Sequence, residues 1–245
     1  MSAPLVSIIL VCRNPGPALR TALESVWQQT GVSPEVVVVD GASTDGTREW
    51  LETSRTALAA LISEPDRGVY DAMNKAVTAA CGQWLLFLGA DDRLATPDIL
   101  SRLESTLAQT PAGIVAGTAR FTDGRLYAPA PAAAIRRNFI HHQSAFYRRE
   151  LFSRLGAFDP GFRIQADYEL NLRWQQAGTG IATLPQLVAV CGTGGLSDSG
   201  RWANYREEIR ARHRHFPAWQ CWLWDLASFI RFLRKNAIRM FSSHG

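Results

Sequence analysis

The apolar positions fall into short, nearly continuous runs separated by longer amphipathic stretches. Val6–Cys12 is one such run, rich in β-branched residues. A run of that length without polar alternation reads as a strand covered on both faces. Val36–Asp40 and Trp84–Leu88 repeat the pattern, with shorter versions at Leu61–Ile62 and Ile114–Gly117. Between them the period changes. Leu19, Leu23, Val26 and Trp27 share one face of a helix that Pro17 opens and Gly31 follows. Further helices are predicted from near Thr47, over Val69–Ala80, and from Thr96, as cap with Pro97 behind it, to about Gln109. Asp167–Gln176 reads as helix and Ile181–Val190 as strand, whereas 118–165 shows neither period and is expected to be irregular, with an Ala/Pro-rich loop at 128–134.

Strands alternating with helices imply an α/β fold: a mostly parallel, doubly wound sheet flanked by helices. Such sheets bind ligands at the carboxyl ends of their strands, near the switch in strand order. Arg13-Asn14, Asp40–Asp45 and Asp91-Asp92 all sit just beyond strand ends. The organisation expected is one catalytic-type domain over 1–200 and a helical tail over 201–245.

Charge sharpens that division. The tail holds nine Lys/Arg against three Asp/Glu, while the remainder holds 17 against 19. The basic character is thus local, which speaks against a nucleic-acid surface on the body and for an anionic partner of the tail. The four cysteines have no zinc-ligand or CxxC spacing and are expected to be free thiols. The N-terminus has no basic segment before its first strand, so no signal peptide is expected, and no apolar run reaches the roughly 18 residues of a spanning helix.

Five segments carry chemistry. VVVVDGASTDGT places Asp40 at a strand end, where a carboxylate can meet a nucleobase or ribose or can simply satisfy a turn. GADD places Asp91 and Asp92 side by side, a repulsive arrangement that a hard divalent cation offsets. In SEPDRGVYDAMNK, Asp66 and Arg67 lie in a loop, and Asp71, Asn74 and Lys75 share a helix face that is either a ligand-facing or a solvent-facing one. HHQSAF and ADYELNLR bring His142 and Asp167; Asp167 reads either as a helix cap or as a carboxylate able to take a proton from a hydroxyl. TGGLS, with Ser197, reads as a mobile phosphate-contacting loop or an ordinary connector.

Taken in order over roughly residues 5–200, VSIILVCRN, VVVVDGASTDGT, SEPDRGVYDAMNKA, FLGADD, HHQSAFYRRELF and ADYELNLR resemble family-2 glycosyltransferases of the GT-A fold, especially those of bacterial exopolysaccharide and O-antigen assembly. The resemblance implies an inverting, metal-dependent enzyme that moves a sugar from a UDP, GDP or dTDP donor to a glycan or polyprenyl-diphosphate-linked acceptor. It implies that Asp167 is the base and Asp92 holds Mg2+ or Mn2+. It further implies that Asp91 assists at the sugar or ribose and that Asp40 contacts the nucleoside. Arg13, Asn14, Asp66, Arg67, Asn74 and Lys75 complete the donor contacts, with His142 and Ser197 as further candidates. Met73 stands where relatives carry Arg, and Gly89 where many carry Asp or Asn. The central expectation is that Asp40, Asp92 and Asp167 line one cleft. The alternative is an inactive nucleotide-sugar-binding module.

In the tail, Trp219, Trp222, Leu223, Leu226, Phe229, Ile230 and Leu233 recur at helical spacing beside Arg231, Arg234, Lys235 and Arg239. An aromatic, basic, amphipathic helix suits an anionic membrane surface or packs on protein. With the transferase resemblance, this points to a cytoplasmic protein held peripherally at the inner face of the membrane.

Overall fold

Alternation along the first strands decides where the sheet lies. In β1 (Val6–Cys12), Ile8 and Leu10 point to one side and Ile9 and Val11 to the other, and all are buried. The computed structural model describes residues 3–130, 135–193, 195 and 201–242, with α8 side chains described as far as Asn236. β2 (Glu35–Asp40), β3 (Ala60–Ser63) and β4 (Trp84–Gly89) complete a parallel group in the order β3-β2-β1-β4. α1 (Ala18–Trp27) and α4 (Ile99–Gln109) cover one face through Leu19, Leu23, Val26, Leu103 and Leu107. α3 (Val69–Ala79), α5 (Arg149–Leu155) and α6 (Ala166–Gln176) cover the other through Met73, Phe152 and Trp174. α2 (Thr47–Thr53) follows β2.

Beyond β4 the sheet is mixed, so the expected parallel character belongs chiefly to its first half. β8 (Ala145–Arg148) runs against β4, and β6 (Ile114–Phe121) against β8. β9 (Ile181–Cys191) is parallel to β6, while β5 (Arg93–Leu94) and β7 (Leu126–Tyr127) pair antiparallel with β9 and β6. The stretch 118–165, expected to be irregular, thus supplies the end of β6, then β7, β8 and α5. These pieces are too short to show a period. Thr96 is not the cap of α4: its hydroxyl donates to Asp98 at 2.7 Å, and the helix begins at Ile99.

One irregularity has a clear cause. Ala116 pairs with Thr183 but Thr118 with Leu187, so the segment around Pro185 bulges out of the ladder. Proline has no amide to donate and is tolerated at such a bulge. The bulge brings β9 close to Gly117, where a Cβ would lie 2.5 Å from Val188 Cγ2 and 2.9 Å from the Gln186 carbonyl.

The tail is not a separate body. α7 (Trp202–His215) packs on α6, and α8 (Ala218–Ser242) packs on α7. Arg212 of α7 is fully buried and bridges Glu208 to Asp225 of α8, the latter at 2.8 Å. Trp202 and Tyr205 meet Phe232 edge-on. The opposite face of α8 is apolar and uncovered, with Trp219 74%, Trp222 58% and Leu223 57% exposed. Packing on protein therefore describes one face of the tail helix, and the other face is left uncovered.

Gly117→Ala is expected to destabilise the fold by about 1–3 kcal/mol through overpacking. A lowered urea midpoint checks this; an unchanged midpoint would mean that β9 can shift away.

Candidate active site

Register brings the strand-end loops together. Cys12 pairs with Asp40 and Val11 with Gly89, so the loops after β1, β2 and β4 lie side by side. Asn14 takes a left-handed conformation (φ 49°) and accepts a hydrogen bond from the Thr44 amide at 2.7 Å. The Asn14 amide in turn donates to Ser43 Oγ at 2.7 Å. Arg13 and Asp66 close on Gly41, where a Cβ would clash with the Asp66 carboxylate. Asp45 accepts from the Thr47 amide at the start of α2, as a turn carboxylate does.

Asp40 itself has no exposed surface. Its carboxylate accepts from the Ser43 amide at 3.2 Å, the Ser43 hydroxyl and the Ser63 hydroxyl at 2.8 Å. Burial beside this charge pushes the Cys12 thiol up to about 12, which makes it unreactive. Asp40 organises the loop that Arg13, Asn14 and Asp66 surround, and its own oxygens face inward.

The acidic pair divides differently from the sequence expectation. Asp92 is 3% exposed; its carboxylate accepts from the Gly89 amide at 2.7 Å and the Gly192 amide at 3.1 Å. Burial raises its pKa, with those amides opposing and the neighbouring Asp91 charge adding. Asp92 therefore ties the turn to the end of β9. Asp91 is exposed and lines a cavity of about 700 Å³. A Cβ on Gly192 would overlap the Asp91 carboxylate, so the bare backbone there makes room for it. Among the described residues no three His, Cys, Asp or Glu converge into a protein-only metal cage. A hard cation held by one or two carboxylates plus phosphate oxygens and water needs no such cage. Asp91, open to the cavity and without a hydrogen-bond donor among the described residues, fits that donor set better than Asp92.

Asp167 lies across the same cavity, in the first turn of α6. It does not cap the helix: Gln165 holds that position, and the Asp167 carboxylate turns into the cavity wall. Oδ1 accepts from the Tyr70 hydroxyl at 3.1 Å, and Oδ2 from Asn138 Nδ2 at 2.8 Å. His142 Nδ1 sits 3.1 Å from Oδ2. Burial pushes this carboxyl up, but His142 and Asn138 outweigh it and hold the pKa below its ordinary 3.8. Tyr70, buried beside the charge, is pushed well above the usual phenol range and keeps its proton as a donor. His141 stacks parallel on His142 and is driven down to about 4 by burial, so it is neutral. Glu207 of α7 accepts from the amides of Arg163, Ile164 and Gln165 at 2.8–3.0 Å, fixing the backbone that leads into α6.

Of the expected trio, then, only Asp167 faces the cleft; its carboxylate companions there are Asp91 and Glu208. Arg67 pairs with Asp71 in solvent, and Lys75 ties Glu64 to the Pro65 carbonyl. Asn74 clamps the backbone of Phe158 at 2.8 and 3.1 Å. These three lie off the cavity wall, whereas Met73 forms part of it. His142 lies on the wall, and Ser197 falls outside the described residues. Asn138, Tyr70, Glu207 and Gly192 were not among the expected site residues. Only Tyr70 lay within a motif; the others act through tertiary neighbours that no local spacing reveals.

Comparison with known proteins places the family and the fold. The family model described as glycosyl transferase family 2 matches residues 7–161. A PGL/p-HBAD biosynthesis glycosyltransferase of Mycobacterium tuberculosis is 37% identical over 182 residues, covering 71% of this chain and 70% of its own length. A mannosyltransferase from Pyrobaculum calidifontis, solved in complex with GDP-Man and Mn2+, has a TM-score of 0.67 at 25% identity over 97% of this chain and 76% of its own. Staphylococcus aureus TarS has a TM-score of 0.66 at 19% identity over 84% of this chain, which spans 39% of TarS.

Ionised Asp167 is favoured by the fold, so its contribution to stability is complete above 3.8 and is lost as pH falls through the lower folded value. The stability difference between the parent and Asp167→Asn is expected to be flat near neutrality and to change below pH 3.8. Urea midpoints measured across that range test it; a difference that never varies with pH would contradict the assignment.

Proposed function

The chain belongs to glycosyl transferase family 2 with the GT-A fold, and we propose that it moves a sugar from a nucleotide-sugar donor to an acceptor hydroxyl with inversion. The observation that carries this reading is that Asp91 and Asp167 line the same cavity. They come from the end of β4 and the start of α6, elements far apart in sequence.

The proposed chemistry follows from those two environments. Asp167 stays ionised at neutral pH and accepts the proton of the acceptor hydroxyl. The freed oxygen attacks the anomeric carbon opposite the departing nucleoside diphosphate. One C–O bond forms as the other breaks, and the electron pair leaves with the diphosphate. Tyr70, Asn138 and His142 hold the base in place. Asp91 would hold Mg2+ or Mn2+, which when bound neutralises charge on the diphosphate. Asp92 keeps the turn that presents Asp91. The loops of Arg13, Asn14, Asp40 and Asp66 would receive the nucleoside. Mn2+ and a nucleotide-sugar in the mannosyltransferase, a protein 25% identical to this chain, support this donor class.

The exposed face of α8 favours a role in surface glycoconjugate synthesis at a membrane. No described helix is long and apolar enough to cross a membrane. The uncovered face of α8 instead carries Trp219, Trp222, Leu226 and Leu233, each at least 49% exposed, near Arg234 and Lys235. A face of this composition enters the headgroup layer of anionic lipid. The enzyme would then work peripherally at the cytoplasmic side, where nucleotide sugars are made.

Asp167→Asn is expected to cut transfer by about 10²–10⁴-fold with donor binding retained. Asp91→Asn is expected to abolish cation-dependent donor binding, and Asp92→Asn to act mainly by loosening the turn. Nucleoside diphosphate release, donor titration with and without Mn2+, and the anomeric configuration of the product read these out. Equal transfer by Asp167→Asn and parent, or a retained configuration, would refute the mechanism.

Trp222→Glu combined with Leu226→Glu, both on exposed positions, should strongly reduce co-sedimentation with phosphatidylglycerol vesicles. Unchanged sedimentation would remove α8 from membrane attachment.

A further inference from the structure

A second cavity, about 260 Å³, opens beside the catalytic one. Arg136, Arg137, Trp224, Ala227 and Arg231 line it, and Arg137 and Arg231 also face the catalytic cavity. The two spaces therefore share a wall of guanidinium groups. The charge on that wall is not balanced. Glu208 accepts from both Arg212 and Arg231, and Arg212 also reaches Asp225, which His213 contacts from its other oxygen. Those carboxylates are already engaged by Arg212 and Arg231. Arg136 and Arg137 have exposed side chains and no carboxylate partner among the described residues.

Adjacent unpaired guanidinium groups repel each other and favour an anion between them. Their planar forks match phosphate oxygens in particular. The remaining wall, Trp224 and Ala227, is apolar and lies on α8, whose outer face is the uncovered stripe of Trp222, Leu223, Leu226 and Ile230. A ligand that satisfies every wall is a phosphate or diphosphate ester of a long apolar chain. The chain would run along α8, the phosphate would rest on the arginines, and the end distal to the chain would cross to Asp167.

We propose that this cavity is the anion subsite for a lipid-linked phosphate acceptor. The assignment rests on the transferase reading for its purpose, but the subsite is testable without it. α8 then serves the reaction directly: it brings the acceptor's headgroup to the catalytic cavity through Arg231.

The test is calorimetric titration of the full chain with dodecyl phosphate below its micelle concentration, inorganic phosphate, and dodecyl maltoside. The parent should bind dodecyl phosphate saturably and at least about tenfold more tightly than either control, since only that ligand meets both walls. Arg136→Gln combined with Arg137→Gln should weaken it about tenfold or more, the scale of a lost charge-assisted hydrogen bond. Ala227→Glu, which brings a carboxylate to an exposed position of the helix, should do the same. Thermal midpoints confirm that each variant is folded. Equal affinity in variants and parent overturns the subsite, and inorganic phosphate binding as tightly as its dodecyl ester overturns the lipid assignment. A chain that binds dodecyl phosphate as expected but no nucleotide sugar would overturn the transferase reading and leave the subsite standing.

Discussion

An ionised carboxylate inside a protein survives only with donors around it, and Asp167 has three partners drawn from two other segments. Tyr70 comes from α3, Asn138 and His142 from the segment before β8, and the carboxylate itself from α6. Desolvation alone would favour the protonated, neutral form of the group. The donors reverse that, and they can do so only when α3, α6 and the segment from 135 onward are packed together on one face of the sheet. The chemistry of the cavity therefore depends on the completeness of the fold.

The same logic governs the acidic turn. Two neighbouring carboxylates cannot both face a small space without repulsion. Here backbone amides of Gly89 and Gly192 draw Asp92 inward, and Asp91 is left to the cavity. The cost of burying Asp92 shows in its raised pKa. What that burial secures is a rigid turn whose remaining carboxylate is aimed at the cavity. Gly192 takes part twice, by donating its amide to Asp92 and by lacking a side chain where Asp91 lies.

The C-terminal helices extend the site rather than follow it. Glu207 steadies the approach to α6, Glu208 stands on the cavity wall, and Arg231 joins that wall to the outer helix. Arg212, buried between α7 and α8, is matched by Glu208 and Asp225, so removing both acids would leave an uncompensated buried charge. Composition changes at residue 200, but α7 packs on α6 across that point.

Sequence by itself determined the parts that local rules control. Both-face apolar runs located β1, β2 and β4, and the motifs at their ends located the loops in which the site lies. It also singled out Asp167 and His142, which do meet, and the exposed apolar face of α8. It did not determine which member of Asp91-Asp92 faces the cavity, or that Asp40 is sealed by Ser43 and Ser63. Nor did it reveal Asn138, Glu207 and Gly192, or the mixed second half of the sheet. Those outcomes rest on register and on donors brought from distant segments. A side chain's direction is fixed by what packs against it in space, and hydrophobic periodicity carries no information about that.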